Sequence, residues 1–394
     1  MTPIAPTLDA IIALTRDLVA FPTRNPPGEE KECAQFIART LAGWGIEVAL
    51  VPEPNPQRPQ VVAWVRGAGG PTLTLNGHID TVPEGDLSKW PFPPFAATVH
   101  DGALWGLGTA DMKAQLATAM LTLKALKDVK LDGSLMFQAV MGEELAEPGT
   151  RTLLTKPEYA SDYALVLEPT NLRIAPATRG VAWHTVTIYG SPEHCGLVDH
   201  YINPAAKFGK VIAALEAYHD QIHEQSHPLL RRRACAVTEV RAGEKHNHIP
   251  AACEFVIDRR MLPGERTTQV AAELREILDR CAAADSDFRY EMTFLRDNEP
   301  AEIAADHPLV GMAREAAASV LGYDPGIWGP PYGSDVRNFI VDKSIPALNF
   351  GPGDFTVCHT PGEHVRLDEL DSFAKILMAL TLRILKGNHG STFA

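Results

Sequence analysis

The feature that most constrains the fold is the alternation of amphipathic helical segments with apolar, strand-like runs. In the first part of the chain, apolar residues recur at helical spacing at 8–20, 29–44 and 112–126. Strand-like runs are predicted at 46–51, 61–65, 72–76, 134–140 and 163–167. Buried strands that alternate with helices predict an α/β fold whose chemistry lies in loops beyond the carboxyl ends of the strands.

The pattern changes at about residue 179. Strands are predicted at 181–189, 234–240, 254–260 and 288–295, with helices at 204–218 and 268–281. This order, β-α-β-β-α-β, predicts a two-layer α+β domain. The last part returns to the α/β style, with helices at 307–321 and 367–386 and a strand at 347–350. We therefore predict an inserted domain at 179–296 within one catalytic domain made of 1–178 and 297–394.

Charge and composition exclude several classes of function. Lys and Arg number 36 against 49 Asp and Glu, giving a net charge of −13. That balance disfavours nucleic acid and anionic membranes as partners, because both need a basic surface. The sequence has no basic leader before an apolar core and no run of about 18 apolar residues, so we predict a cytoplasmic protein. Six scattered cysteines without Cys-x-x-Cys spacing leave histidine and carboxylate as metal ligands.

The run at 73–76 ends in Gly77-His78-Ile79-Asp80, which suggests the first ligand loop of a metal centre. If the extended chain persists, Asp80 can orient the His78 ring while His78 binds a metal. Further loops at or near predicted strand ends offer Asp111, Glu143, Glu144, Glu168 and His359. Two histidines with several carboxylates suit two adjacent zinc ions. In the Glu143-Glu144 pair, one residue can coordinate while its neighbour acts as general base.

Each of these residues also has an ordinary structural explanation. Asp111 can cap a helix, Glu143-Glu144 can form a solvated turn, and Glu168 before a proline can lie on the surface. Together, however, the five motifs occur in one order and in loop-like surroundings. The metal centre is therefore the stronger hypothesis.

With these motifs the chain resembles the dinuclear zinc amidohydrolases and metallopeptidases that include acetylornithine deacetylase, succinyl-diaminopimelate desuccinylase, glutamate carboxypeptidase and the aminoacylases. The resemblance implies a zinc-peptidase-like α/β/α catalytic domain and two Zn²⁺ per subunit, with Co²⁺ or Mn²⁺ able to substitute. It implies one zinc on His78, Asp111 and Glu168, and another on the bridging Asp111 with Glu144 and His359. Glu143 is then the general base, and Asp80 the partner of His78.

The resemblance also implies that the inserted domain is a lid and dimerisation domain. His194 would stabilise the oxyanion in the other subunit's active site of a homodimer. Asn247 and Arg260 would grip a substrate carboxylate, which suits the planar fork of arginine, with Arg179 and Asn203 completing the substrate-binding set. Val198 and Tyr201 replace the family's usual proline and glycine between His194 and Asn203, so this loop is predicted to be reshaped. Thr109-Ala110 and Gly142 are milder departures.

Other candidates are weaker. Cys358 and Cys195 adjoin His359 and His194, but adjacent side chains in extended chain point apart and cannot easily share a proton. Gly333-Ser334-Asp335 lacks the Gly-x-Ser-x-Gly elbow of serine hydrolases. Histidines four residues apart could chelate a metal on one helical face, but a solvated, fraying face is the preferred interpretation; they are His219, His223 and His227.

The predicted function is hydrolysis of the amide bond of a small N-acyl amino acid. A dipeptidase or a glutamate-carboxypeptidase-like enzyme is the alternative on the same site. A metallophosphoesterase is less favoured, since two-metal sites also hydrolyse phosphates. A non-catalytic binding protein is disfavoured, because every predicted ligand and the base are present.

Overall fold

The computed structural model describes residues 3–196 and 201–386. Within them, the helices are α1 (Leu8–Val19), α2 (Lys31–Gly43), α3 (Lys113–Leu126), α4 (Gly149–Leu153), α5 (Pro204–His223), α6 (Thr267–Ala283), α7 (Pro308–Leu321), α8 (Val336–Lys343) and α9 (Leu367–Leu385). The strands are β1 (Glu47–Val51), β2 (Gln60–Val65), β3 (Thr72–His78), β4 (Thr98–His100), β5 (Ala103–Trp105), β6 (Ser134–Val140), β7 (Tyr163–Val166), β8 (Ala177–Thr178), β9 (Gly180–Tyr189), β10 (Ala234–Ala242), β11 (Ala252–Met261), β12 (Tyr290–Asn298), β13 (Ala301–Glu302), β14 (Ala347–Asn349) and β15 (His364–Arg366).

The chain divides into two compact units. The first comprises Met1–Pro176, Glu302–Trp328 and Ser334–Ala394. The second comprises Ala177–Ala301 and Gly329–Gly333. The second unit therefore includes the short segment Gly329–Gly333, which is distant in sequence from the rest of that unit. The local sequence pattern does not indicate that this segment belongs to the second unit.

The first unit is built on a six-stranded sheet in the order β1-β2-β6-β3-β7-β14. The neighbours β6, β3, β7 and β14 run parallel, whereas β1 and β2 are antiparallel additions at one edge. Because parallel strands end at the same edge of a sheet, the loops after these four strands lie together. This edge carries the candidate site.

Helices cover both faces of this sheet. On β7, Leu165 faces the large core that includes side chains of α2, α3, α7 and α9. Its neighbours Ala164 and Val166 face the opposite side, where Phe339 of α8 packs. Burial on both faces explains why these strands are near-continuous apolar runs. The predicted α/β class with three layers is confirmed for this unit.

The second unit is a four-stranded antiparallel sheet, in the order β10-β11-β9-β12, with α5 and α6 packed against one face. Along β9, Ala182, Val186 and Ile188 enter the core, while Thr185 and Thr187 between them are partly exposed. Within the unit the elements follow the predicted order β-α-β-β-α-β.

Helix α5 extends five residues beyond the predicted end at Tyr218. Nδ1 of His219 lies 2.9 Å from the carbonyl oxygen of Cys235, and Nδ1 of His223 lies 2.8 Å from that of Arg233. His227, beyond the helix end, accepts the backbone N–H of Leu229 at 3.2 Å. The prediction of a solvated, fraying histidine face was therefore wrong, because these rings are hydrogen-bonded to backbone groups.

Across 3–196 and 201–386, no helix combines the length and apolarity needed to cross a membrane.

Candidate metal centre

The edge formed by the parallel strands brings together the predicted metal ligands. His78 is the last residue of β3, Glu144 follows β6, and Glu168 lies two residues after β7. Asp111 precedes α3, and His359 follows β14. Helix α3 has Met112 at its N-cap position and no side-chain cap, so Asp111 does not serve as the helix cap. Its carboxylate is therefore available to the site.

The ligand atoms form two clusters that share Asp111. His78, Asp111 and Glu168 make the first, and Asp111, Glu144 and His359 make the second, with donor atoms in each within 4.8 Å of one another. Nε2 of His78 lies 2.8 Å from Oδ1 of Asp111, whereas Nε2 of His359 lies 3.3 Å from Oδ2. The two oxygens of Asp111 thus face different histidines, which is the arrangement a bridging carboxylate requires.

His359 is held in an uncommon backbone conformation. Its φ is +61°, in the left-handed region that residues with a Cβ rarely adopt. Nε2 of its ring lies 3.0 Å from Oε2 of Glu144. Such a conformation persists where the surroundings demand it, and functional sites are where it concentrates. Here it directs the histidine toward Asp111 and Glu144.

Buried carboxylates crowd the site. Burial raises the pKa of Glu143 well above its usual range, and the negative charge of Glu168 raises it further. Burial likewise raises the pKa of Glu168, with Asp111 adding to the effect. Like charges removed from water disfavour ionisation of one another. The cluster therefore favours cations placed between its members.

The donor set fits a pair of divalent metal ions. Oε1 of Glu144 and Oε1 of Glu168 are buried without a hydrogen-bond partner within the described residues. Buried carboxylate oxygens are costly unless something binds them. Each cluster offers one imidazole and two carboxylates, a combination that zinc accepts with an open position for water. The carboxylate oxygens without partners and the types of ligand atom thus both support a pair of divalent metal ions at this site.

The orienting contact of His78 differs in detail from the prediction. Nδ1 of His78 donates to the backbone carbonyl oxygen of Asp80 at 2.9 Å, whereas the nearer carboxylate oxygen is 3.7 Å away. A proton held on Nδ1 leaves the Nε2 lone pair for a metal. Asp80 is thus the orienting residue, but its carbonyl rather than its carboxylate makes the hydrogen bond.

The carboxylate of Asp80 holds the turn that carries Glu143 and Glu144. Its oxygens accept the backbone N–H groups of Gly142 at 2.9 Å and of Glu143 and Glu144 at 3.2 Å. Nδ2 of Asn25 donates to the same carboxylate at 2.9 Å. Gly142 has φ +81°, a conformation that glycine adopts freely at the start of this turn. Asp80 therefore connects the two strand-end loops.

Asn25 is a residue that sequence reasoning missed. Its Nδ2 also donates to Oε2 of Glu147 at 2.9 Å, and Arg58 pairs with both Glu147 and the buried Glu30. The signal was weak: Asn25 stands before Pro26-Pro27-Gly28, which predicts only a turn. Its contact with Asp80, which is more than fifty residues away in the sequence, could not be inferred from spacing.

Replacing Asn25 by alanine should lower turnover by about 10- to 100-fold, the usual cost of losing a residue that orients catalytic groups. The metal ligands themselves remain, so metal content should stay at the wild-type level. Activity and metal stoichiometry measured on one preparation check both statements. Asn55→Ala, at an exposed position, is the matched control. Unchanged turnover in Asn25→Ala would show that the turn does not need this contact.

Glu363, four residues after His359, is a second residue to which the sequence analysis assigned no role. It is 1% exposed, and its Oε1 accepts the backbone N–H groups of Ala110 and Asp111, both at 3.1 Å. Burial raises its pKa to about 8, with the charge of Asp111 adding to the effect. Glu363 therefore fixes the loop that presents the shared carboxylate.

The remaining predicted site residues lie in the second unit. Nδ2 of Asn247 lies 3.1 Å from Nε2 of His194, so these two are brought together. Arg260 pairs with Asp258 at 2.8 Å, and Arg179 donates to the carbonyl oxygen of Arg232. Asn203 caps α5, its side chain accepting the N–H of Ala205 at 3.0 Å.

The rejected nucleophiles and the altered loop can also be placed. Burial raises the pKa of Cys358 well above its usual range, so its thiol stays protonated. The hydroxyl of Ser334 is buried and donates to Oδ1 of Asn349 at 2.8 Å. Of the two substitutions between His194 and Asn203, Tyr201 is exposed and Val198 lies outside the described residues.

The sequence matches the model of peptidase family M20/M25/M40 over residues 74–383. The chain belongs to this family. The matched region contains every predicted metal ligand and the predicted general base. The predicted family resemblance is confirmed, and with it the class of metal-dependent hydrolase.

Relatives of this M20 chain include two kinds of deacylating enzyme. A deformylase of N-formyl-4-amino-5-aminomethyl-2-methylpyrimidine from Halalkalibacterium halodurans is 28% identical over 405 aligned positions, covering 94% of this chain and 93% of that protein. Acetylornithine deacetylase of Klebsiella pneumoniae is 28% identical, covering 91% and 93%. These alignments span nearly the whole of each protein.

Solved structures confirm the fold. An M20 family metallo-carboxypeptidase from Sulfolobus solfataricus superposes with a TM-score of 0.81 at 18% identity, covering 94% of this chain and 98% of that one. A dinuclear metal binding peptidase of the M20 family from Bacillus subtilis gives 0.72 at 21% identity, covering 96% and 98%. At these identities the similarity concerns the fold alone.

Proposed function

We propose that this M20 chain removes the acyl group from a small N-acyl amino acid by hydrolysing its amide bond with two Zn²⁺. The observation that carries the proposal is the pair of clusters sharing Asp111, with Glu143 beside but outside them. The names of the deacetylase and deformylase relatives support a substrate that carries an acyl group on nitrogen, which hydrolysis transfers to water. Co²⁺ or Mn²⁺ should substitute for zinc in the same ligands.

The roles of the chain's own residues follow from this arrangement. Asp111 would be shared by two metal ions, with His78 and Glu168 holding one and His359 and Glu144 the other. When bound, such cations would supply polarisation of a carbonyl and a lowered pKa of water. Glu143, whose pKa burial raises, takes the proton from the attacking water. It then delivers that proton to the leaving amine. Asp80 holds Glu143 in place through the backbone of the turn.

A substrate screen tests the proposal. The zinc-loaded protein is offered N-acetyl, N-succinyl, N-formyl and N-aroyl amino acids beside dipeptides and a generic phosphate ester. Turnover of at least one acyl amino acid above all dipeptides is the expected result. Preference for dipeptides would favour the peptidase alternative, which the metallo-carboxypeptidase neighbour supports through its fold. Turnover of the phosphate ester alone, or of nothing with both metals bound, would contradict the proposal.

Chelation should abolish activity and lower the melting temperature. Removing cations leaves the carboxylates of Asp111, Glu144 and Glu168 facing one another, and the binding energy of each site is lost. At free metal a hundredfold above Kd, one site contributes about 2.7 kcal/mol to stability. Thermal unfolding before chelation, after it and after zinc is restored measures the effect. An unchanged melting temperature would contradict the metal centre.

The inserted domain is proposed to form a homodimer in which His194 stabilises the oxyanion in the partner's active site. The contact between His194 and Asn247 supports a shared role for the two. Mixing inactive His194→Ala subunits with inactive Glu143→Ala subunits should restore part of the activity. No recovery despite demonstrated subunit exchange would rule out action across the dimer. The cytoplasmic location stays a prediction.

A further inference from the structure

Three arginines line one cavity of the second unit. The cavity has a volume of about 540 Å³, and its lining residues are Arg179, His223, Ser226, Arg231, Arg232 and Ala234. We call it the arginine cavity. Three guanidinium groups around one opening are unexpected in a chain whose net charge is −13.

Neighbouring arginines are neutralised by carboxylates. Arg259 and Arg233 both pair with Glu265, at 2.5 and 2.9 Å, and Arg260 pairs with Asp258 at 2.8 Å. The arginines in these pairs are buried or partly buried, whereas Arg231 and Arg232 are exposed at the cavity. Burial lowers the pKa of Arg179 and the charge of Asp258 partly offsets that effect, but no ion pair joins Asp258 and Arg179 within the described residues.

The three arginines of the cavity have no such partner. The carbonyl oxygen of Arg231 accepts the backbone N–H of His227 at 3.1 Å, but its guanidinium has no hydrogen bond or ion pair with any residue in 3–196 or 201–386. Among the residues that the structure describes, the guanidinium of Arg232 donates only to the carbonyl oxygen of His223, at 3.4 Å. Arg179 donates to the carbonyl oxygen of Arg232, and its buried Nε has no partner among the described residues. The surface of the arginine cavity therefore carries positive charge and guanidinium N–H groups that are not paired with a carboxylate.

Electrostatics makes this arrangement unfavourable without an anion. Burial lowers the pKa of Arg179, and the positive charges of Arg260 and Arg231 lower it further. Guanidinium groups nevertheless stay ionised. Arg231 and Arg232 are exposed to water, which screens part of the repulsion, and an anion bound among the three would remove more of it. Their planar forks match carboxylate and phosphate groups, with which they form charge-assisted hydrogen bonds.

We propose that the arginine cavity binds a small molecule with two or more negative charges, carried by carboxylate or phosphate groups. Its volume lies in the range of about 300–1,000 Å³ that is usual for small-molecule sites. Arg231 and Arg232 hold the anionic groups, Arg179 adds its free Nε, and Ser226 offers a neutral hydroxyl. None of these residues is a metal ligand. Arg179 belongs to the substrate-binding set that the family resemblance implies, whereas Arg231 and Arg232 do not, so these two distinguish the cavity from the active site.

Calorimetric titration tests the site, with succinate, inorganic phosphate and acetate as probes at constant ionic strength. The full chain is titrated with zinc bound and again after chelation. Saturable binding of succinate or phosphate that survives chelation is expected, because an anion on the metals would be released with them. Acetate, with one charge, should bind more weakly. Whichever of succinate or phosphate binds tighter identifies the anionic group.

The double variant Arg231→Gln with Arg232→Gln should bind the preferred dianion at least about tenfold more weakly, since one charged hydrogen bond is worth about 1.5–3 kcal/mol. Arg275→Gln with Arg280→Gln is the matched control, because it removes the same charge from exposed positions on α6 of the same unit. Circular dichroism verifies that both variants fold. Equal loss in the two double variants, or no saturable binding of either dianion to the wild type after chelation, overturns the proposal.

Discussion

Glu143→Gln should retain both metal ions yet lose about 10²- to 10⁴-fold in turnover, which is the usual contribution of a positioned general base. Glu143 belongs to neither ligand cluster, so removing its charge takes away the proton acceptor without taking away a ligand. The amide is close in size to the carboxyl group and keeps the turn intact. Turnover and metal content, measured on one preparation, separate chemistry from metal binding.

The matched control for this variant is Glu158→Gln, the same change at an exposed position. It should leave turnover unchanged. If Glu143→Gln keeps wild-type activity, another group moves the proton and the assigned role is wrong. If it loses metal together with activity, Glu143 is a ligand and the division of labour with Glu144 must be reversed.

Replacing either histidine should remove metal as well as activity. His78 is 1% exposed and supplies the only imidazole of the first cluster, while His359 supplies that of the second. Loss of one of about three protein ligands weakens a zinc site severely. Because Asp111 belongs to both clusters, damage to one cluster is expected to weaken the other as well. We expect His78→Ala and His359→Ala each to bind fewer than two metal ions and to show almost no turnover.

Because His78 is buried, His78→Gln is needed beside the alanine variant to keep the cavity filled. His100→Ala, a change of an exposed histidine, is the control and should keep both metals. Elemental analysis after dialysis gives the stoichiometry. Two tightly bound ions in a folded His359→Ala protein would remove that residue from the ligand set.

Local signals in the sequence were sufficient for the fold of each unit and for naming the residues that lie together in the two clusters. The buried strands are rich in apolar residues, and each ends near a histidine or a carboxylate, so β3, β6 and β7 could be placed with their loops. What the sequence could not supply were contacts between distant segments. Asn25 reaches Asp80, and Glu363 reaches the N–H of Asp111, only after the chain has folded.

Two errors of detail have the same origin. The rings of His219 and His223 suggested a solvated face, because nothing local indicated that β10 carbonyls would lie beside them. For Asp80, spacing indicated the correct residue, but which of its oxygens faces His78 depends on the turn at 142–144 that occupies the carboxylate. The periodicity of apolar residues predicts one helix or strand at a time, whereas these contacts join two elements that are distant in the sequence.

The order of the ligands along the chain has a consequence for biosynthesis. His78, Asp111, Glu144 and Glu168 are all synthesised before the second unit, while His359 comes after it, beyond the strand β14 that pairs with β7. All residues of the first cluster are therefore synthesised before the second unit, whereas the second cluster lacks its imidazole until the last part of the chain is made. A truncated translation product that ends before His359 contains the residues of the first cluster but not all of those of the second.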